Sequence, residues 1–288
     1  ILLLLSASIV GFTVPQSNAS NPPFEQGDVA CLIITENVVT SGSDCNGSIT
    51  IPEGVTSIGA GAFQYAPNLT SIIIPTGVTE IGAMAFLNLN SLESVSLPNG
   101  LITIGDSAFE GATSLISVTI PSSVTAIGSS AFQSATALTS INIPQSVETI
   151  GSFAFRSATS LHTVIFQNES ALEVIESGVF YEATSLSGIS IPKSVTSLGD
   201  YAFYGATALE NITFPRGLTS IGMQAFYNSM SLSSVRFLGP PPMLVSQAFS
   251  QIGPQAKALI NQSFYESFTV AVVDQSPSWN ELTLEVFN

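Results

Sequence analysis

Apolar residues in this chain recur in fixed columns rather than in isolated runs. The stretch from Leu69 to Phe86, LTSIIIPTGVTEIGAMAF, returns almost letter for letter, and Pro52, Pro75, Pro98, Pro121 and Pro144 follow one another at steps of 23 residues. A Phe column, Phe63, Phe86, Phe109, Phe132 and Phe155, keeps the same step and resumes at Phe180, Phe203, Phe226 and Phe249. A fixed period of this length marks a solenoid, in which each unit covers its apolar face with the next.

Two apolar columns predict a strand in every unit. One runs through Ile72, Val95, Val118, Ile141, Val164, Ile189, Ile212 and Val235, and the other through Ile74, Leu97, Ile120, Ile143, Phe166, Ile191, Phe214 and Phe237. They lie two positions apart, the period of a strand with one buried face, and are rich in β-branched residues. Pro follows in most units and ends the strand, because it has no N–H to give to a ladder. The segment V-x-x-I-G then predicts a second short strand on the far side. Its Gly column (Gly59, Gly82, Gly105, Gly128, Gly151, Gly199, Gly222) requires either a left-handed φ or close backbone approach between units. The Phe column and its flanks predict one helical turn that inserts Phe into the centre. The third residue after Phe is small in nearly every unit, Leu89 being the exception.

The expected architecture is a repeat solenoid with a parallel β-sheet on one face, short strands and helical turns on the other, and a cap at each end. Ile1 to Val10 is an apolar run, and Ser17-Asn18-Ala19 places small residues ahead of a cleavage point. Residues 1–19 therefore predict a partial signal peptide lacking its charged start. Residues 20–48 predict an N-terminal cap, 49–250 the array of 23-residue units, and 251–288 a C-terminal cap of short strands with Trp279 as a core anchor. Cys31 and Cys45, both ahead of the full units, read either as a disulfide clamping the first cap or as two unrelated buried thiols; a secreted chain favours the disulfide.

Charged residues make up only 9% of the chain, so Ser, Thr, Asn, Gln and Gly must carry the surface. Five Lys and Arg against 20 Asp and Glu give a net charge of −15. That balance speaks against nucleic acid and anionic membranes as partners. Past the leader no segment is long and apolar enough to predict a membrane span.

The motif L-x-x-I-x-I-P-x-x-V-x-x-I-G-x-x-A-F resembles the leucine-rich repeats of BspA-like (Treponema-type) surface proteins, over about Ile49 to Phe249. The resemblance implies a right-handed leucine-rich repeat coil and a secreted or surface-attached adhesion protein. In many relatives the small position after Phe holds Cys, whereas Ala or Ser stands here; the Asn of other leucine-rich repeats is missing.

The period breaks once. Between Phe155 and Phe180 the step is 25, Gln167 replaces Pro and Glu176 replaces Gly. This segment, with Glu169, Glu173 and Glu176, reads as a binding bulge or weak cation site, or simply as a solvated insertion. The lone His162 reads as a surface residue rather than a catalyst, and no metal, phosphate-loop or dinucleotide motif is present. No enzyme activity and no cofactor are expected.

The outward strand columns offer a binding face for an extracellular protein or polysaccharide. They contain Ser71, Ser94, Ser117, Ser140, Thr163 and Asn211, beside Ser96, Thr119, Asn142, Ser190 and Thr213, with His162 at the margin. The bland alternative is that Ser and Thr merely keep a ladder soluble, as in a cell-envelope spacer. A third reading, an ice- or crystal-binding surface, rests on Thr56, Thr79, Thr125, Thr196 and Thr219, a column interrupted by Ile102, Glu148 and Glu173. Sequons outside the leader occur at Asn46, Asn68, Asn168, Asn211 and Asn261.

Overall fold

The computed structural model describes residues 30–274 and 282–287. The leader, the stretch up to Val29 and Trp279 lie outside them. The chain forms a parallel β-solenoid of about ten turns, as its period predicts. Three sides of most turns are tied to the next turn by backbone hydrogen bonds.

The front side is the predicted strand face. Gly47–Thr50, Leu69–Ile73 and Ser94–Ser96 form one parallel sheet. A second runs from Ser140–Ile143 through Thr163–Phe166, Gly188–Ser190, Asn211–Phe214 and Ser234–Phe237 to Lys257–Asn261 and Thr283–Phe287. Between the two, the turn holding Ser117 to Thr119 makes a single bridge, Ser117 to Ser140, where a full strand was expected. Pro ends the front strands as predicted, and its carbonyl starts the next bend, as in the Val78 N–H to Pro75 bond.

The back side is a ladder of two-residue strands, Ser57–Ile58, Glu80–Ile81, Thr103–Ile104, Ala126–Ile127 and Thr149–Ile150. It resumes as a separate sheet at Val174–Ile175. The Gly column follows these strands, and none of its members has a positive φ. Close approach is the reason: a Cβ on Gly151 would lie 2.4 Å from the Ser129 backbone nitrogen. Gly151 N–H in turn donates to Ile127 at 2.8 Å.

The third side carries the Phe column. The segment here is not a helical turn. Its N–H groups alternate between a bend within the turn and a bond to the next turn: Ala85 N–H bonds Gly82, while Met84, Phe86 and Asn88 bond Asp106, Ala108 and Glu110. That alternation needs two left-handed residues per turn, here Met84 (φ 59°) and Asn88 (φ 58°), which an α-helix excludes. The Phe rings, fully buried, stack along the axis with centroids 5.0 to 5.8 Å apart. The small position after Phe is buried throughout; Leu89 fills it without exposure, and Ser229 donates its hydroxyl to the Phe203 carbonyl.

At the N-terminal end, Ile33–Thr35 and Val38–Ser41 make an antiparallel hairpin around Glu36 and Asn37, both left-handed. Its second strand begins the back ladder by pairing with Ser57–Ile58. Cys31 and Cys45 form a disulfide, with Cα atoms 5.0 Å apart. Closing a loop of this length stabilises by about 3 kcal/mol in the chain-entropy model. Replacing both cysteines by serine is expected to lose about that much, read as a lower denaturant midpoint; a loss under about 0.5 kcal/mol would show that the hairpin holds without the bridge. At the other end the cap, expected as short strands alone, includes the α-helix Tyr265–Asp274. The Asn261 side chain accepts from the Ser263 N–H at the helical entry, Glu266 sits in the first turn, and Phe268 buries against Phe237. Those start signals and the buried anchor override β propensity.

Candidate binding face

Parallel pairing brings the predicted face residues into straight rows. Ser71 stands beside Ser94, Ser117 beside Ser140, Ser140 beside Thr163, and Ser190 beside Thr213. Gly188 lies between Thr163 and Asn211. Neighbouring strands lie about 4.8 Å apart, so the rows present polar groups at a regular pitch. Most of these side chains are exposed, and Ser94 donates to Ser71 at 3.2 Å. Thr119 and Ser96 are exposed where the sheet is interrupted. The face is not all hydroxyl: Ile73 and Ile165 project from the same rows, 50% and 54% exposed, and Ile116 lies beside them at 56%. Charge enters the rows at Arg236, whose guanidinium covers the Phe287 ring at 4.0 Å. Lys257 and Glu285 pair there at 2.8 Å.

His162 is exposed at the margin, its Nδ1 against the Ser160 carbonyl. Among the described residues no carboxylate or nucleophile is in hydrogen-bond contact with it.

The insertion opens the back ladder. Glu176 occupies the Gly position, and the bond that Gly151 and Gly199 make to the preceding turn has no counterpart there. A cleft of about 480 Å³ results, with Glu148, Glu173 and Glu176 on its walls. Glu169 is not part of it; its carboxylate pairs with Lys193 at 2.7 Å on the open surface. No group of three ligating side chains close enough to hold a metal occurs among the described residues.

The Thr column lies on the surface beside the back ladder, Thr125 half-buried and Thr56, Thr79, Thr196 and Thr219 exposed. Thr56, Thr125, Thr196 and Thr219 donate their hydroxyls to Asn37, Ile102, Glu173 and Thr196 carbonyls on the preceding turn.

One cluster escaped the sequence reading. On the third side, Phe153, Arg156, Tyr181, Tyr201, Tyr204 and Gln224 line a groove of about 370 Å³. The signal was present in the pairs Phe180-Tyr181, Phe203-Tyr204 and Phe226-Tyr227, which place Tyr just past the Phe column in consecutive turns.

Comparison with known proteins agrees with this geometry. A leucine-rich repeat protein from Bacteroides ovatus ATCC 8483 is 23% identical, with a TM-score of 0.65 over 92% of this chain and 75% of its own. The T. pallidum leucine-rich repeat protein is 26% identical, with a TM-score of 0.52 over 68% of this chain and 82% of its own. The pneumococcal vaccine antigen PcpA is 22% identical, with a TM-score of 0.52 over 85% of this chain and 72% of its own. No curated protein matches the sequence. The model of the BspA type leucine rich repeat region matches in 6 copies, across residues 37–162 and 126–255. The match spans most of the array, and the chain belongs to the BspA-type leucine-rich repeat family.

Proposed function

We propose that this chain is the binding module of a secreted or cell-surface protein and engages an extracellular protein or polysaccharide through its strand face. The observation that carries the reading is the make-up of that face. In a chain of net charge −15, the two outward rows hold no acid and no base before Arg236. They expose Ile73 and Ile165 among hydroxyls and amides. Depletion of charge with neutral hydrogen-bonding groups around some apolar contact is the make-up of a binding surface, whereas a face needed only for solubility would carry its share of the chain's acids. The family's association with bacterial surfaces supports the location. The ice-binding reading is weaker, because Ile102, Glu148 and Glu173 interrupt the Thr column and four of its hydroxyls already donate to the coil backbone.

The test pairs the purified chain with an Asn142→Arg, Ser190→Arg variant on arrays of matrix proteins and glycans. Both positions are exposed on the face, so the variant is expected to melt with the parent. Binding by the parent and at least a tenfold loss in the variant is the expected result. Equal binding by both would move the site off the strand face. No binding by either would favour a spacer.

A further inference from the structure

We propose a second ligand site, for a neutral sugar ring, in the aromatic groove on the third side of the coil. It does not depend on the strand-face reading. The first observation is conformational. Phe153 and Tyr201 occupy the left-handed position ahead of the Phe column, at φ 62° and 60°. Other turns fill that position with Ser107, Ser130 or Gln224. The positive φ belongs to every turn of the coil; what sets these two turns apart is a bulky ring, disfavoured in that conformation, where small or flexible residues stand elsewhere. Neither ring enters the core; both remain partly exposed.

The second observation is how the rings stand. Tyr181 and Tyr204 stack on each other at 4.7 Å with planes 2° apart, so their faces are used and their edges and hydroxyls line the floor. Phe153 stands at 65° to Tyr181, and Tyr201 at 64° to Tyr204. The Phe153 ring lies over Gly178, where any side chain would strike it, and Tyr201 stands one turn further on. The volume, about 370 Å³, falls within the range of small-ligand sites.

The third observation is charge. The Arg156 guanidinium lies 5.8 Å from the Phe153 ring centre and 5.2 Å from that of Tyr181. It has no carboxylate partner among the described residues. Glu182, which follows Tyr181 in the next turn, instead accepts the Ser157 hydroxyl. Burial, then the Glu182 charge, push the Tyr181 phenol above its usual value, so it remains a donor at neutral pH. Gln224 gives its amide N–H to Gln247 and keeps its carbonyl oxygen as an acceptor. Arg156 repels cations inside the groove, and the net charge of −15 repels anions from outside it. A neutral pyranose meets both conditions. Its C–H face packs on an aromatic wall, and its hydroxyls pair with guanidinium, phenol and amide groups.

The experiment is calorimetric titration of the whole chain with cellohexaose, laminarihexaose, mannohexaose and chitohexaose. A heparin hexasaccharide and a decaproline peptide serve as anionic and peptide probes. Phe153→Ser and Tyr204→Gln install residues that other turns already hold at these positions, Ser130 and Gln133, and keep the coil intact. The expected result is binding of at least one neutral hexasaccharide, weakened tenfold or more by each substitution and unchanged by the strand-face arginines. Three results would overturn the proposal. They are no binding of any neutral sugar, binding that both substitutions leave intact, and binding confined to heparin or decaproline.

Discussion

Phe132→Ala is expected to lower unfolding free energy by about 4 kcal/mol. Removing a fully buried Phe costs roughly 3–5 kcal/mol in transfer and cavity terms. Phe132 belongs at the upper part of that range because it is fully buried and touches its own kind on both sides. Its ring centre lies 5.3 Å from Phe109 and 5.5 Å from Phe155, nearly parallel to both. Neighbouring rings are held by the same two rows of hydrogen-bonded turns, so they cannot close over the gap without breaking those bonds. Urea denaturation followed by circular dichroism measures the loss. An unchanged slope means the array still unfolds as one unit; a shallower slope means that it has split at the vacancy. A loss below about 1.5 kcal/mol would show that the ring stack is not what binds successive turns.

Gly151→Val is expected to cost as much or more, about 4 kcal/mol at least, for a different reason. The first carbon of any side chain there meets Ser129 nitrogen at 2.4 Å and Ser129 Cα at 2.7 Å. Both are backbone atoms in a tied ladder, so the turn must move as a whole and the 2.8 Å bond to Ile127 is lost. Overpacking usually costs about 1–3 kcal/mol, the upper end applies where nothing soft can yield, and the lost hydrogen bond adds about 1 kcal/mol more. Gly47→Ala is the control. Gly47 has φ +64° but open space around it, so its substitution should cost only about 1 kcal/mol. Equal losses at both sites would mean that inter-turn contact is not what fixes the glycine column.

Much of this was legible because each repeat writes the same statement again. Ile72, Ile74 and Phe86 name the front strand and the buried ring, and their counterparts at Ile141, Ile143 and Phe155 confirm the reading. The role of Gly151 was legible only as an alternative, since nearness between turns is a property of the stack rather than of one unit. The helical turn was misread for a related reason. Ala-Phe with polar flanks suits a helix locally, but the next turn offers carbonyls to every second N–H and holds Met84 and Asn88 left-handed. The helix Tyr265–Asp274 was misread as strand because its β-branched run outweighed the entry signal at Asn261. The strand-face rows were legible from register alone. The aromatic groove was not, because attention to what each column keeps constant passes over the positions where Phe153 and Tyr201 depart from it.

The two interruptions of the coil do not coincide. The front sheet lapses between Ser94–Ser96 and the turn of Ser117, while the back pairing Thr103–Ile104 with Ala126–Ile127 and the bonds from Ser107, Phe109 and Gly111 carry that junction. The back ladder lapses between Thr149–Ile150 and Val174–Ile175, where Ser140–Ile143 still pairs with Thr163–Phe166 and Phe153, Phe155 and Ser157 still bond forward. The seams are offset as joints are in coursed masonry. A load drawn along the axis therefore meets two unbroken seams at each of these junctions, and the two-residue insertion weakens one side of the column without creating a plane along which it can part.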